Sequence, residues 1–159
     1  MNLTVTAVNY AYSKNSHKVL SDFSFEARQG THWCITGPNG CGKSTFLKLI
    51  SGLLSFESLS GTIAWDAKNI SAMERTEIAR QIAFVPGSFV PKFGVTVEEF
   101  ILQSRFAFGS IFSKPTSADY LATCTAMKKT GIENLCSRLI TELSSGQLQL
   151  VLLSRALAQ

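Results

Sequence analysis

The sequence lacks the features of a membrane-spanning or secreted chain. No uncharged apolar stretch approaches the ~18 to 20 residues that a helix needs to cross a bilayer. Residues 1–8 alternate between apolar and polar side chains, and they lack the basic segment and apolar segment of a signal peptide. We therefore expect no direct membrane insertion, and a role at a membrane would require a partner protein.

The sequence also lacks concentrated positive charge and paired cysteines. Its 15 Lys and Arg residues exceed its 11 Asp and Glu residues by only four, and they are scattered, so no nucleic-acid partner is expected. No C-x-x-C pair is present, and no His lies at a metal-ligand spacing from a cysteine, which argues against a zinc or redox site. Free thiols in a reducing cytosol account for the four cysteines more simply: Cys34, Cys41, Cys124 and Cys136.

What the sequence does contain is a mixed pattern of strands and helices. Residues 3–8 and 19–27 alternate as strands around a polar turn at 13–16, and a further short strand pair ends near 61–66, so we predict an N-terminal antiparallel layer. Residues 31–36 are predicted to form the strand that leads into the following loop, and the apolar run 82–85 is typical of a buried parallel strand. Helices are predicted over 45–50, 73–81, 95–105, 118–130 and 148–159, with Gly52 and Gly131 as helix ends.

Between the predicted strand 31–36 and the helix 45–50 the chain matches the phosphate-loop pattern G-x-x-x-x-G-K-[ST]. Glycines let backbone N–H groups approach a phosphate, Lys43 supplies a charge for the β and γ phosphates, and the Ser44 hydroxyl can coordinate Mg²⁺. A glycine turn with an exposed lysine is the alternative, but the strand-loop-helix setting favours ATP and magnesium binding. The candidate residues are Gly37, Pro38, Asn39, Gly40, Cys41, Gly42, Lys43, Ser44 and Thr45.

A second motif, Leu143-Ser144-Ser145-Gly146-Gln147, precedes the last predicted helix. Ser144 can cap that helix, and Gly146 can let backbone amides approach an anion. A serine and a glycine before a helix usually indicate no more than a cap. The phosphate loop upstream gives the motif more weight.

With both motifs in this order, the sequence resembles the nucleotide-binding subunits of ATP-binding cassette (ABC) transporters, whose signature is L-S-G-G-Q. The resemblance spans residues 1–159 as one partial ATPase domain, with a helical subdomain at 95–143. It implies an α/β P-loop NTPase fold in which Tyr12 stacks on adenine. It also implies that two copies pair head to tail, so that Ser144, Ser145, Gly146 and Gln147 face the γ-phosphate bound by the partner.

The same resemblance implies an ATPase that drives transport. Within residues 1–159 it implies Lys43 as the catalytic residue. Transport would run through an integral membrane permease, with residues 89–100 near it. The location implied is cytoplasmic and peripheral, on the inner face of the cell membrane. The spacing of the helical region is most similar to importers of metal chelates, siderophores and cobalamin.

The sequence departs from the family pattern in several places. Gly87 stands where the family has a glutamine that reaches Mg²⁺, Ser145 replaces a signature glycine, and Leu148 and Leu150 replace arginines. The family continues into a Walker B strand ending in Asp and Glu and then a switch His, whereas this sequence ends at Gln159. We therefore expect the C-terminal part of the fold to be missing and chain 1–159 to be weakly stable, prone to associate and nearly inactive.

Two other functions remain open. One is a degenerate ATP-binding module that dimerises without effective hydrolysis, which Gly87 and the lost arginines favour. An Asp-Glu pair after Gln159 in the parent gene would support the enzyme instead. The other is an ABC ATPase acting on ribosomes or DNA, although such proteins usually carry two phosphate loops and this sequence has one.

Overall fold

The computed structural model of the chain describes residues 1–13, 17–109 and 114–159. It divides into two compact units, Met1–Ile78 and Ala79–Gln159. The predicted turn at 13–16 lies outside the described residues, apart from Ser13. None of the helices in the described ranges is both long and apolar enough to span a membrane.

The first unit is built on a four-stranded sheet with the order β2-β1-β3-β4. Its strands are β1 (Leu3–Tyr10), β2 (Leu20–Ala27), β3 (Leu59–Trp65) and β4 (Lys68–Asn69). Every neighbouring pair is antiparallel. The prediction of an N-terminal antiparallel layer is therefore confirmed.

A β-bulge in β1 decides which side chains of that strand reach the core. Ala7 has a φ of 49°, and the pairing with β2 shifts register between Val5 and Val8. The bulge moves the inward-facing positions from odd to even residue numbers, since an extra residue reverses the alternation along a strand. Leu3, Val5, Val8 and Tyr10 are consequently all buried.

Helix α1 (Lys43–Ile50) follows the phosphate loop and packs on the aromatic side chains of β2. The ring of Phe46 lies 5.0 Å from that of Phe23 and 5.8 Å from that of Phe25, measured between ring centroids. Gly52, with a φ of 68°, ends the helix as predicted: its N–H donates to the carbonyl of Leu49. This left-handed turn is a common helix ending because glycine adopts it without strain.

The remaining helices are α2 (Arg75–Gln81), α3 (Val97–Leu102), α4 (Ser117–Thr130) and α5 (Ser145–Ala158). Short 3-10 helices cover Ile70–Ala72, Gln103–Phe108, Glu133–Leu135 and Ile140–Glu142. Helices α3, α4 and α5 surround a common core. The fully buried members of this core include Val97, Ile101, Ile132 and Val151.

The helix predictions are confirmed with altered ends. The predicted helix 95–105 is α3 followed by a 3-10 segment, and α5 begins at Ser145 rather than at residue 148, since Ser144 provides its cap. Helix α4 ends before Gly131 as predicted, and Gly131 has a φ of 69°. The subdomain bounds 95–143 stay a prediction.

The strands predicted at 31–36 and 82–85 are wrong for this structure. Residues 31–36 and 82–85 form no strand, and neither run has a ladder partner among the described residues. A strand exists only when a neighbour pairs its N–H and C=O groups, so an apolar run without such a neighbour stays irregular. Trp33 and Val85 are accordingly 59% and 44% exposed rather than buried.

Candidate functional site

The phosphate loop leads directly into the N-terminus of α1. Gly40 has a φ of 84°, and Gly42, the residue before the helix, has a φ of 99° and no side chain to cap it. No capping hydrogen bond occupies the first turn. The N–H groups at the start of α1 lack partners within the helix, so this end of the helix favours an anion.

The loop is held in place by a close approach between Gly42 and the start of β2. A Cβ atom on residue 42 would lie 3.0 Å from the carbonyl oxygen of Val19 and 2.9 Å from a methyl carbon of Leu20. Only glycine accommodates this contact together with its positive φ. Val19 is a site residue that sequence reasoning missed, because no motif marks the strand that packs beneath the loop.

The Lys43 ammonium group lies within the curve of the loop. It donates hydrogen bonds of 2.7 Å to the carbonyl oxygens of Gly37 and Pro38, and the Cys41 sulfur lies 3.8 Å away. The positive charge is therefore already positioned beside the uncapped end of α1. Both groups attract the same kind of ligand, which is an anion such as a phosphate.

Ser44 is exposed beside Lys43, and its hydroxyl has no protein partner in the described residues. A hydroxyl oxygen suits Mg²⁺, which keeps most of its ligands as water and substrate phosphate oxygens. No cluster of His, Cys, Asp or Glu that would hold a metal by itself occurs in the described parts of the chain. The residues thus fit a magnesium ion carried by a nucleotide, with Ser44 as one ligand.

Tyr12 lies at the same site as the phosphate loop. Its hydroxyl oxygen is 2.9 Å from that of Thr45, a hydrogen bond in which either group can donate. Burial raises the pKa of the neighbouring Tyr10, and Tyr12 raises it further, so Tyr10 stays neutral. A cavity of about 370 Å³ is lined by Tyr12, Val19, Asn39, Gly40, Gly42, Lys43, Ser44 and Thr45.

The second motif forms the N-terminus of α5 in the second unit. The hydroxyl of Ser144 accepts a hydrogen bond from the Gln147 N–H, and the Gln147 side-chain oxygen accepts one from the Ser144 N–H. This reciprocal cap confirms the predicted capping role of Ser144. Ser145 and Gly146 are exposed at the start of the helix, so their hydroxyl and amide groups remain available for a ligand.

Gly87 lies in the irregular segment after Pro86, in the second unit. Its φ is not left-handed, and a Cβ atom there would meet nothing within 4 Å. The backbone therefore does not require glycine at this position. Alanine would fit at this position, so glycine here is a feature of the sequence that the local backbone does not demand.

The sequence is similar to known proteins over most of its length. The profile of the family described as "ABC transporter" matches residues 20–159. An uncharacterized ABC transporter ATP-binding protein of Haemophilus influenzae is 34% identical over 151 residues, covering 95% of this chain and 57% of that protein. The manganese transport system ATP-binding protein MntB of Halalkalibacterium halodurans is 36% identical over 161 residues, covering 100% of this chain and 61% of MntB. The chain thus spans little more than half the length of these curated relatives.

Solved structures show the same fold. A nucleotide-free ATP-binding cassette from an ABC transporter superimposes with a TM-score of 0.79 at 26% identity, covering 99% of this chain and 65% of that one. An ATP-binding subunit of an ABC transporter gives a TM-score of 0.78 at 26% identity, covering 99% and 62%. The fold is that of the P-loop NTPases, as the resemblance implied. The chain belongs to the ABC transporter family.

Proposed function

We propose that this chain is the nucleotide-binding part of an ABC transporter subunit and that it binds magnesium-ATP at residues 37–45. The observation that carries the proposal is the Lys43 ammonium group, held by two loop carbonyls beside the uncapped end of α1. The amides of the loop and Lys43 would hold the β and γ phosphates, and Ser44 would bind Mg²⁺. The ion would neutralise phosphate charge when bound.

The reaction proposed for the complete protein is ATP hydrolysis. Lys43 would stabilise charge on the transferred phosphoryl group, which is the main catalytic requirement of phosphoryl transfer. Among the described residues that line the cavity at the phosphate loop none is acidic, so that lining offers no carboxylate to orient the attacking water. Because loss of a general base typically costs ~10²-fold to 10⁴-fold in rate, chain 1–159 would bind ATP and turn it over very slowly.

A second copy of the chain is the proposed partner for catalysis. In a head-to-tail dimer, the exposed residues Ser145 and Gly146 at the start of α5 would face the γ-phosphate bound by the other copy. Ser144 and Gln147 would act mainly by holding the end of the helix, since their side chains are used in its cap. Of the four signature residues, only Ser145 and Gly146 would then contact the phosphate directly.

A membrane permease is the second proposed partner, with import of a metal chelate or similar small solute as the process. Relatives bear names such as manganese transport, cobalamin import and iron(3+)-hydroxamate import ATP-binding protein. Val90 and Phe93 are 78% and 77% exposed in the segment 89–100, and such apolar surface suits a protein contact. The subunit would then lie on the cytoplasmic face of the cell membrane.

A degenerate module that dimerises on ATP without effective hydrolysis is the second candidate. Gly87 supports it, because the backbone there does not demand glycine and the sequence nevertheless lacks the family's glutamine. Leu148 and Leu150 also remove positive charge from the first turns of α5. The two candidates differ in phosphate release by the complete parent protein: the module binds ATP and dimerises, whereas the enzyme also releases phosphate.

The test of nucleotide binding is the substitution Lys43→Ala, measured by titration calorimetry with magnesium-ATP. A hydrogen bond to a charged group contributes about 1.5–3 kcal/mol. Its loss should therefore weaken the affinity for magnesium-ATP about ten- to hundredfold. Lys48→Ala is the matched control, since Lys48 lies on the last turn of the same helix and outside the cavity lining. Unchanged affinity in Lys43→Ala would reject the site, and equal losses in both variants would indicate a general charge effect.

A further inference from the structure

The side chain of Tyr12 is tied to the phosphate loop by a hydrogen bond rather than lying free beside it. Its hydroxyl oxygen is 2.9 Å from the hydroxyl oxygen of Thr45. Thr45 is 6% exposed and belongs to the first turn of α1, so its position is set by the helix. The hydrogen bond therefore joins a largely exposed side chain to a buried residue of the helix.

The ring of Tyr12 makes a second contact, with the ring of Tyr10. The rings of Tyr10 and Tyr12 meet edge to face, with centroids 5.6 Å apart and an interplanar angle of 75°. Tyr10 is only 4% exposed, because the bulge in β1 turns it into the core. Tyr12 itself remains 58% exposed, so part of its ring is available to a ligand. Tyr12 thus has a hydrogen bond at its hydroxyl and an aromatic contact with Tyr10, and it still lines the cavity.

Such restraint has a definite effect on binding. A ring that is already held in place loses little conformational freedom when a flat ligand stacks on it, and preorganisation of this kind strengthens binding. Because the restraint comes from Thr45, the ring keeps a fixed distance from the amides that start α1. A ligand with a flat ring and a phosphate chain would contact Tyr12 and the phosphate loop within one cavity.

We propose that Thr45 is a positioning residue whose hydroxyl holds the ring of Tyr12 in register with the phosphate loop, so that the site favours a nucleoside triphosphate over its phosphate chain alone. This inference rests on the proposed nucleotide site and deepens it. It assigns the Thr45 hydroxyl a role in recognising the base, in addition to any phosphate contact made by the loop. Tyr12 is the residue that touches the base, and Thr45 acts through it.

The test compares magnesium-ATP with magnesium tripolyphosphate, which carries the same phosphate chain without base or sugar. Titration calorimetry on the whole chain gives both dissociation constants. The quantity compared is the dissociation constant for tripolyphosphate divided by that for ATP, which is high when the site favours ATP. In Tyr12→Phe the hydrogen bond is lost and the ring remains. We therefore expect the affinity for ATP to fall about two- to tenfold, while the affinity for tripolyphosphate stays unchanged. Thr45→Val should lower the ratio by a similar factor, and Thr45→Ser should restore it.

A double-mutant cycle separates positioning from general damage. If Thr45 acts through Tyr12, adding Thr45→Val to Tyr12→Phe produces no further change in the ratio. Tyr120→Phe is the control, because Tyr120 is a half-exposed tyrosine on α4 in the other unit. An unchanged ratio in Tyr12→Phe, or fully additive effects, would overturn the positioning role. Wild-type chain that binds tripolyphosphate as tightly as ATP would overturn it too, whereas failure to bind either ligand would overturn the phosphate site itself.

Discussion

Gly42 lies where the backbone leaves the phosphate loop and enters α1. Its φ of 99° and the nearby Val19 carbonyl both exclude a side chain. Gly87 has neither constraint. The motif explains the glycine at position 42 by the need of backbone N–H groups to approach a phosphate. The structure shows that packing against residues 19 and 20 already requires glycine there.

Gly42→Ala should therefore destabilise the protein even when no nucleotide is present. A residue forced into this conformation against a carbonyl oxygen costs roughly 1 to 3 kcal/mol of the free energy of unfolding. Urea unfolding followed by circular dichroism measures the change. Gly87→Ala is the matched control and should stay within about 0.5 kcal/mol of the wild type. Equal stability of the two variants would show that the contact with Val19 does not constrain the loop.

Helix α4 illustrates how local and distant contacts combine in one element. The carboxylate of Asp119 accepts hydrogen bonds from the N–H and the hydroxyl of Thr116 at the start of the helix. It also accepts a bond of 3.1 Å from Arg105, whose guanidinium donates to the carbonyl of Ala158 at the end of α5. Hydrogen bonds from Thr116, followed by that from Arg105, lower the pKa of Asp119 from 3.8 to about 2.

The stability of the protein should consequently depend on pH through Asp119. The folded-state pKa is about 2 and the unfolded value is 3.8, so the stabilisation is present above pH 4 and is lost as the pH falls toward 2. We expect Asp119→Asn to be less stable than the wild type near pH 7, and the difference to shrink as pH falls through this window. Urea midpoints at several pH values measure it.

Glu57→Gln is the control for this experiment, since Glu57 is an exposed residue in a loop of the first unit. A gap between Asp119→Asn and the wild type that stays constant between pH 4 and pH 2 would contradict the assigned role of the carboxylate.

At the scale of the whole molecule, several large apolar side chains remain exposed on the described surface. On α5, Leu150, Leu153 and Leu157 are 41%, 44% and 50% exposed. Their spacing of three and four residues places them on one face of the helix. Contiguous apolar surface of this kind promotes contact with other proteins or with further copies.

We therefore expect the chain to self-associate as its concentration rises, and Leu150→Arg to weaken that association. The substitution would remove the free energy contributed by about half of a buried leucine side chain. This corresponds to about a fivefold rise in the dissociation constant of self-association. Analytical ultracentrifugation over a concentration series measures it. Gln149→Arg adds the same charge at the neighbouring exposed position without removing a leucine. Equal effects of the two variants would mean that charge, and not the apolar face, controls association.

Much of the structure follows from local sequence patterns. Alternation predicted β1 and β2, caps and glycines predicted the ends of α1 and α4, and the motif at 37–44 predicted the loop that holds Lys43. Ser144 predicted the cap of α5 because its partner, Gln147, lies only three residues away. In each case the interacting groups are close in sequence, so the pattern contains the information needed.

Other features were decided by tertiary structure alone. The apolar runs at 31–36 and 82–85 carry the signal of strands, but strand formation depends on a partner elsewhere in the chain, and the described residues supply none. The hydrogen bond between Tyr12 and Thr45 joins residues 33 positions apart, and the fit of Gly42 against Val19 depends on how β2 passes beneath the loop. The amino-acid sequence by itself determined the chemistry of the phosphate loop and the local structure around it. Only the packing of distant segments decided which apolar runs became strands and which side chains joined the loop, since that pairing depends on distance in space rather than along the chain.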